Sequence, residues 1–94
     1  MLSELPIDIK KIGKGDLDRS ILRVGMIAEL DAINLYEQLS AMTDNKTLKK
    51  ILLDIAREEK THMGEFLTLL LEEDKEQKRE LEKGEEEVKE LMEK

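Results

Sequence analysis

An all-α fold is predicted, an antiparallel two-helix hairpin followed by a C-terminal helix, and three observations predict it. From Asp16 onward the chain is built mainly from Leu, Glu, Lys, Ile and Ala, residues with high helix propensity. No alternating β-branched run stands between turn residues, so there is no strand signal. The one proline (Pro6) and two of the five glycines (Gly13 and Gly15) lie in the first fifteen residues, which leaves few places further on for a helix to break. A length of 94 residues allows one domain and no second core.

Residues 1–15 read as an irregular arm, and its Leu2, Leu5, Ile7, Ile9 and Ile12 point to a segment that docks on something. The hairpin spans residues 16–73. Its first helix is expected from about Leu17 to Met42, with Asp16 as N-cap. Thr43-Asp44-Asn45 forms the turn, and Asp44 or Asn45 caps a second helix from about Lys46 to Glu73. Asp74-Lys75-Glu76-Gln77 has the pattern of a capping box and opens the third segment, residues 74–94. That segment is amphipathic only through Leu81, Val88, Leu91 and Met92, and Gly84 weakens its middle. Residues 72–94 carry eleven acidic and six basic side chains, five of the seven net negative charges. A run of this kind reads as a solvated face, with a thin stripe left to pack on a neighbouring subunit.

Charge and composition exclude several classes of function. Net charge is −7, whereas a phosphate backbone is held by a basic surface, so nucleic acid is not expected as a partner. The absence of cysteine rules out disulfides, thiolate zinc sites and Cys nucleophiles. No run of about 18 apolar residues exists to cross a membrane. Met1–Gly15, interrupted by Ser3, Glu4, Pro6, Asp8 and Lys10, does not read as a secretory signal, so a cytoplasmic location is expected. There is no Gly-rich loop after a strand, and the one histidine has no nearby nucleophile.

The informative anomaly is polar. Helical spacing gives the first helix an apolar stripe through Ile21, Leu22, Gly25, Ala28, Ala32, Ile33, Tyr36 and Leu39, with Glu29 inside it. The stripe of the second helix runs through Leu48, Ile51, Leu52, Ile55, Phe66, Leu69 and Leu70, with Glu59 and His62 at its centre. Burying an unpaired charge costs several kcal/mol, so such residues need a compensating partner. Glu29 lies 15 residues before Asp44 and Glu59 lies 15 after it. In an antiparallel hairpin both then sit at one level, roughly 22 Å from the turn. Glu59 and His62, three apart, share a helical face. No basic residue lies in either stripe; a divalent cation would neutralise the carboxylates.

Only half of a di-metal set is present. Di-iron carboxylate bundles take a Glu from each of two helices and Glu-x-x-His from each of two others. This chain has one of each, so two hairpins about a two-fold axis would complete both the ligand set and the open core, as a four-helix bundle. Tyr36, two turns after Glu29 on the same face, is a candidate to hydrogen-bond a ligand carboxylate.

The segments Ile27-Ala28-Glu29-Leu30-Asp31-Ala32-Ile33-Asn34-Leu35-Tyr36-Glu37-Gln38 and Arg57-Glu58-Glu59-Lys60-Thr61-His62-Met63-Gly64-Glu65 resemble those of the encapsulated ferritins, half-length relatives of rubrerythrin and ferritin. The resemblance spans roughly residues 17–92 and is closest to archaeal members fused to the encapsulin shell protein. It implies a ferritin-like four-helix bundle made by a homodimer, with a di-iron ferroxidase centre at the interface and two Fe per dimer. It further implies a decamer, five dimers in an open ring, and storage of the oxidised iron by an encapsulin nanocompartment around it. The bridging glutamate of the family matches Glu29, and its helix-two ligands match Glu59 and His62. Some members take up metal through acidic residues near helix one. Here Ala28 precedes Glu29, while Asp31 and Glu58 keep acidic positions as uptake candidates, and Leu35 stands where some members carry Trp. Lys94 follows no Gly/Ser/Leu-rich targeting tail, so the expectation is either the N-terminal domain of a shell fusion or delivery by another route.

Carboxylate and imidazole donors suit iron, and carboxylates stabilise Fe(III) once it forms. Few protein ligands per metal leave positions open for O₂. The same donors bind zinc or manganese, so two other readings stand beside the ferroxidase: a non-catalytic helical assembly module with a structural metal, and a rubrerythrin-like di-metal peroxidase.

Overall fold

The computed structural model describes residues 16–94, and the arm over residues 1–15, with its expected docking residues, lies outside the described residues. Three helices follow one another: α1 (Leu17–Met42), α2 (Lys46–Glu73) and α3 (Lys75–Met92). No strand occurs among the described residues.

The caps explain where each helix starts. Asn45 is extended (φ −75°, ψ 112°), and its Oδ1 accepts from the Leu48 backbone N–H at 3.0 Å, so Asn45 rather than Asp44 caps α2. Asp16 does not cap α1 through its side chain. Its backbone is already turned into the helical region (φ −106°, ψ −2°), and its carboxylate pairs instead with Arg19 one turn on. A capping side chain reaches the first turn from an extended residue, and Asp16 has lost that geometry.

Asp74 is the single residue between α2 and α3. Its Oδ1 accepts from the Gln77 N–H at 3.0 Å, which is one half of the expected capping box. The reciprocal half does not form, because the Asp74 N–H already donates to the Leu70 carbonyl and finishes α2. Its Oδ2 takes the Arg23 guanidinium of α1 at 2.8 Å. One carboxylate therefore ties all three helices together at the corner.

α1 and α2 pack along their length, whereas α3 packs only on α2. The radius of gyration is 16.7 Å, against about 12 Å for a compact chain of this length. The core is correspondingly thin: Ile33, Ala56 and Leu70 are the buried apolar residues among those described. Gly25 sets the closeness of the hairpin, since a Cβ there would lie 3.0 Å from Cζ of Phe66. Without one, the phenyl ring rests directly against α1.

One side of the hairpin stays open. Ile21 and Leu39 on α1 are 18 residues apart, as are Ile51 and Leu69 on α2, which is five whole turns. All four are exposed. A shallow recess joins Ile21 to Leu69, and another joins Leu69 to His62, so these residues share one face. The opposite side carries a second groove of about 350 Å³ between the helices, lined in part by Leu30, Leu67 and Leu81.

Candidate metal centre

Mid-height on the open face, Glu29 of α1 meets Glu59 and His62 of α2. Each offers one ligand atom, and the three lie within 4.8 Å of one another. Nδ1 of His62 is 3.5 Å from Oε2 of Glu29 and 3.4 Å from Oε2 of Glu59. The equal count of residues from the turn brings the carboxylates level, and the i, i+3 spacing sets His62 beside Glu59. Both carboxylates are mostly covered, 17% and 20% exposed, while His62 is 47% exposed and faces outward.

These separations are too long for hydrogen bonds, which for N–H···O cluster near 2.9–3.0 Å. Oε2 of Glu29 is buried and has no hydrogen-bond partner. No lysine or arginine pairs with Glu29 or Glu59 among the described residues: Lys60 pairs with Glu37 at 3.4 Å, and Arg57 pairs with Asp54. A buried carboxylate oxygen without a partner costs roughly 1–3 kcal/mol or more. A cation removes that cost. With metal–ligand bonds of about 2.1 Å, adjacent ligands at 90–110° stand about 3.0–3.4 Å apart, close to the spacings seen here. The donor set and its geometry therefore fit a metal ion, which Glu29, Glu59 and His62 would hold.

The remaining sequence candidates are placed less directly. Tyr36 is half-buried, and its hydroxyl makes no hydrogen bond among the described residues. It stands seven residues after Glu29 on the same helix, about 10 Å along the axis. Asp31 is half-buried on α1 and Glu58 is exposed on α2. Neither lines the recess beside the three ligands, which is formed by Glu29, His62, Glu65, Phe66 and Leu69. Glu65 was not singled out by the sequence, and Phe66 was placed only in the apolar stripe of the second helix. The signal was available in both cases, since Glu65 and Phe66 lie three and four residues after His62, on its face.

The rubrerythrin family matches residues 20–94. A ferritin-like-encapsulin shell fusion protein of Pyrococcus furiosus is 62% identical over 71 residues, 76% of this chain and 21% of that protein. The encapsulin nanocompartment cargo protein EncC of Myxococcus xanthus is 43% identical over 68 residues, 72% of this chain and 52% of that protein. The chain thus spans about a fifth and about half of the length of these two relatives. The crystal structure of the encapsulated ferritin domain from Pyrococcus furiosus superposes with a TM-score of 0.82 at 53% identity, covering 97% of this chain and 95% of that one. On sequence and fold together, the chain belongs to the rubrerythrin family and, within it, to the encapsulated ferritins.

Proposed function

We propose that this protein is a ferroxidase, oxidising Fe(II) to Fe(III) with O₂ at a di-iron site shared between two copies and supplying iron to an encapsulin shell. The observation that carries this reading is the orphaned Oε2 of Glu29, one of three ligand atoms converging on an open face. One chain offers a Glu and a Glu-x-x-His, half of the di-iron carboxylate set. A second hairpin about a two-fold axis contributes the other half, giving four carboxylates and two imidazoles for two metals. The exposed Ile21, Leu39, Ile51 and Leu69 on the same side support that pairing. Covering the exposed half of each side chain is worth roughly 1 kcal/mol.

Iron held there supplies the one-electron chemistry by which O₂ is reduced, and Fe(II) is also the substrate. Glu29 and Glu59 neutralise the bound charge and stabilise the Fe(III) product more than the Fe(II) reactant. His62 contributes a ring nitrogen from the exposed side. Phe66 and Leu69 form the apolar wall of the adjoining recess and exclude water from that side. Tyr36, two turns after Glu29 on α1, would donate its hydroxyl proton in a hydrogen bond to a ligand carboxylate. Membership of the family supports five such pairs closing into an open ring. The ring has no sealed cavity, so mineral storage falls to the encapsulin nanocompartment around it, in the cytoplasm.

The test is an anaerobic Fe(II) titration with mass by light scattering, followed by admission of air. One iron per chain, bound by a dimer or larger ring and oxidised rapidly, is expected. Glu59→Ala and His62→Ala should abolish rapid oxidation while the helices remain. Wild-type rates in both variants, or two irons on a monomer, would remove the shared site. Stoichiometric but redox-inert metal would favour a structural ion instead.

A further inference from the structure

The ligands of the candidate metal centre come from two helices, Glu29 from α1 and Glu59 with His62 from α2, so the gap between the helices sets the gap between the ligands. Gly25 stands four residues before Glu29, and Phe66 stands four after His62. In an antiparallel pair the Gly25–Phe66 contact is therefore the neighbour of the Glu29–His62 pair, about 6 Å along the axis. A Cβ at Gly25 would lie 3.0 Å from Cζ, 3.1 Å from Cε1 and 3.2 Å from Cδ1 of Phe66. One whole side of a rigid ring is involved, so turning a flexible tip aside cannot relieve the contact. Gly25 lies inside α1 without a positive φ, and glycine is a poor helix former. Backbone conformation does not call for glycine there; the close approach does.

We infer that Gly25 and Phe66 form a spacer that sets the distance from Glu29 to His62, which makes both of them positioning residues for the metal. This rests on the metal-site reading above. A Cβ at Gly25 would need a few tenths of an ångström more room, gained by parting the helices or by driving the ring toward the recess it walls with Glu29 and His62. The second copy proposed over the open face would close the ring's way outward and leave the helices to part. Metal–ligand distances hold to within about 0.2 Å. Close-packed interiors transmit strain, and one helical turn is too short to absorb it. A displacement that a hairpin tolerates is thus large for the ligand set.

The test uses the whole assembled protein with Co(II) as probe, and compares Gly25→Ala, Phe66→Leu, the double variant and Gly64→Ala. Absorbance reads affinity and ligand geometry, while circular dichroism and light scattering read fold and assembly. Gly25→Ala should weaken Co(II) binding by about 10-fold and shift its ligand-field bands. Helicity should hold, because Ala is the better helix former. Phe66→Leu, which relaxes the contact without adding an atom, should keep one metal per chain and also shift the bands. In the double variant the shorter Leu makes room for the new Cβ, so most of the affinity and the wild-type bands should return. Gly64→Ala, whose Cβ meets nothing within 4 Å, should bind as wild type. Unchanged affinity and bands in Gly25→Ala, or unchanged bands in Phe66→Leu, overturn the inference. So does a loss in Gly25→Ala that Phe66→Leu does not repair or that Gly64→Ala shares. Glu59→Ala is run alongside. If it still binds one metal per chain, the site reading fails; if it loses metal while Gly25→Ala binds as wild type, only the spacer role fails.

Discussion

The hairpin and α3 handle charge in opposite ways. α3 has no buried residue, and its acidic side chains stand in solvent, one of them paired with Lys89 across a helical turn. Those charges cost little and indicate little about function. In the hairpin, by contrast, Glu29 and Glu59 are mostly covered and one carboxylate oxygen has no partner. What marks a functional site here is the desolvation of a charge without compensation, not the density of charge.

The largest expected effect breaks that contrast by removing the uncompensated charge. Glu29→Leu should eliminate stoichiometric metal binding, read by anaerobic titration. The same variant should melt higher than the metal-free wild type, by about 1–3 kcal/mol, because a desolvated carboxylate is replaced by an apolar side chain. A lower melting point would mean that Glu29 is satisfied in the metal-free state. Metal should close the gap from the other side. At 100 times Kd it should stabilise the wild type by about 2.7 kcal/mol and leave Glu29→Leu unmoved, as scanning calorimetry would show.

Smaller effects lie at the helix ends. Asn45→Ala removes the cap of α2 and should cost about 1 kcal/mol in denaturant unfolding. At the corner, the Gln77 N–H and the Arg23 guanidinium hold the Asp74 carboxyl below its ordinary pKa, against some desolvation. The contribution of Asp74 is therefore complete above the unfolded carboxyl pKa and is lost as pH falls through the lower folded value. Protection of α3 amides, taken relative to their intrinsic exchange rates, should fall over that acid range in the wild type, and already at neutral pH in Asp74→Ala. Smallest of all, Glu85→Gln, Glu86→Gln and Glu87→Gln on α3 should each change stability by less than about 0.5 kcal/mol and leave metal stoichiometry intact. A marked change from any of them would give α3 a share in the site.

Helix limits and the convergence of Glu29, Glu59 and His62 were legible because periodicity and counting from a turn are one-dimensional facts. The cap at Asp16 was not, since it depends on a backbone angle that residue type leaves open. Nor was the missing half of the capping box at Asp74, where two helices compete for one N–H. The fit of Phe66 into the gap at Gly25 needs the distance between helices, which no single-helix pattern contains. Glu65 was visible by spacing, but the recess it lines forms only where the two helices meet.

The one-residue corner at Asp74 works as a gear between α2 and α3. With no loop to absorb a change of length, deleting or inserting a residue beside it would rotate the whole of α3 by about 100° and shift it by about 1.5 Å. Leu81, Val88, Leu91 and Met92 would then face a different direction, although every residue of the hairpin kept its place. Variation at this corner would re-aim the outer arm of the protein while leaving Glu29, Glu59 and His62 in place, so the two parts of the chain can change independently.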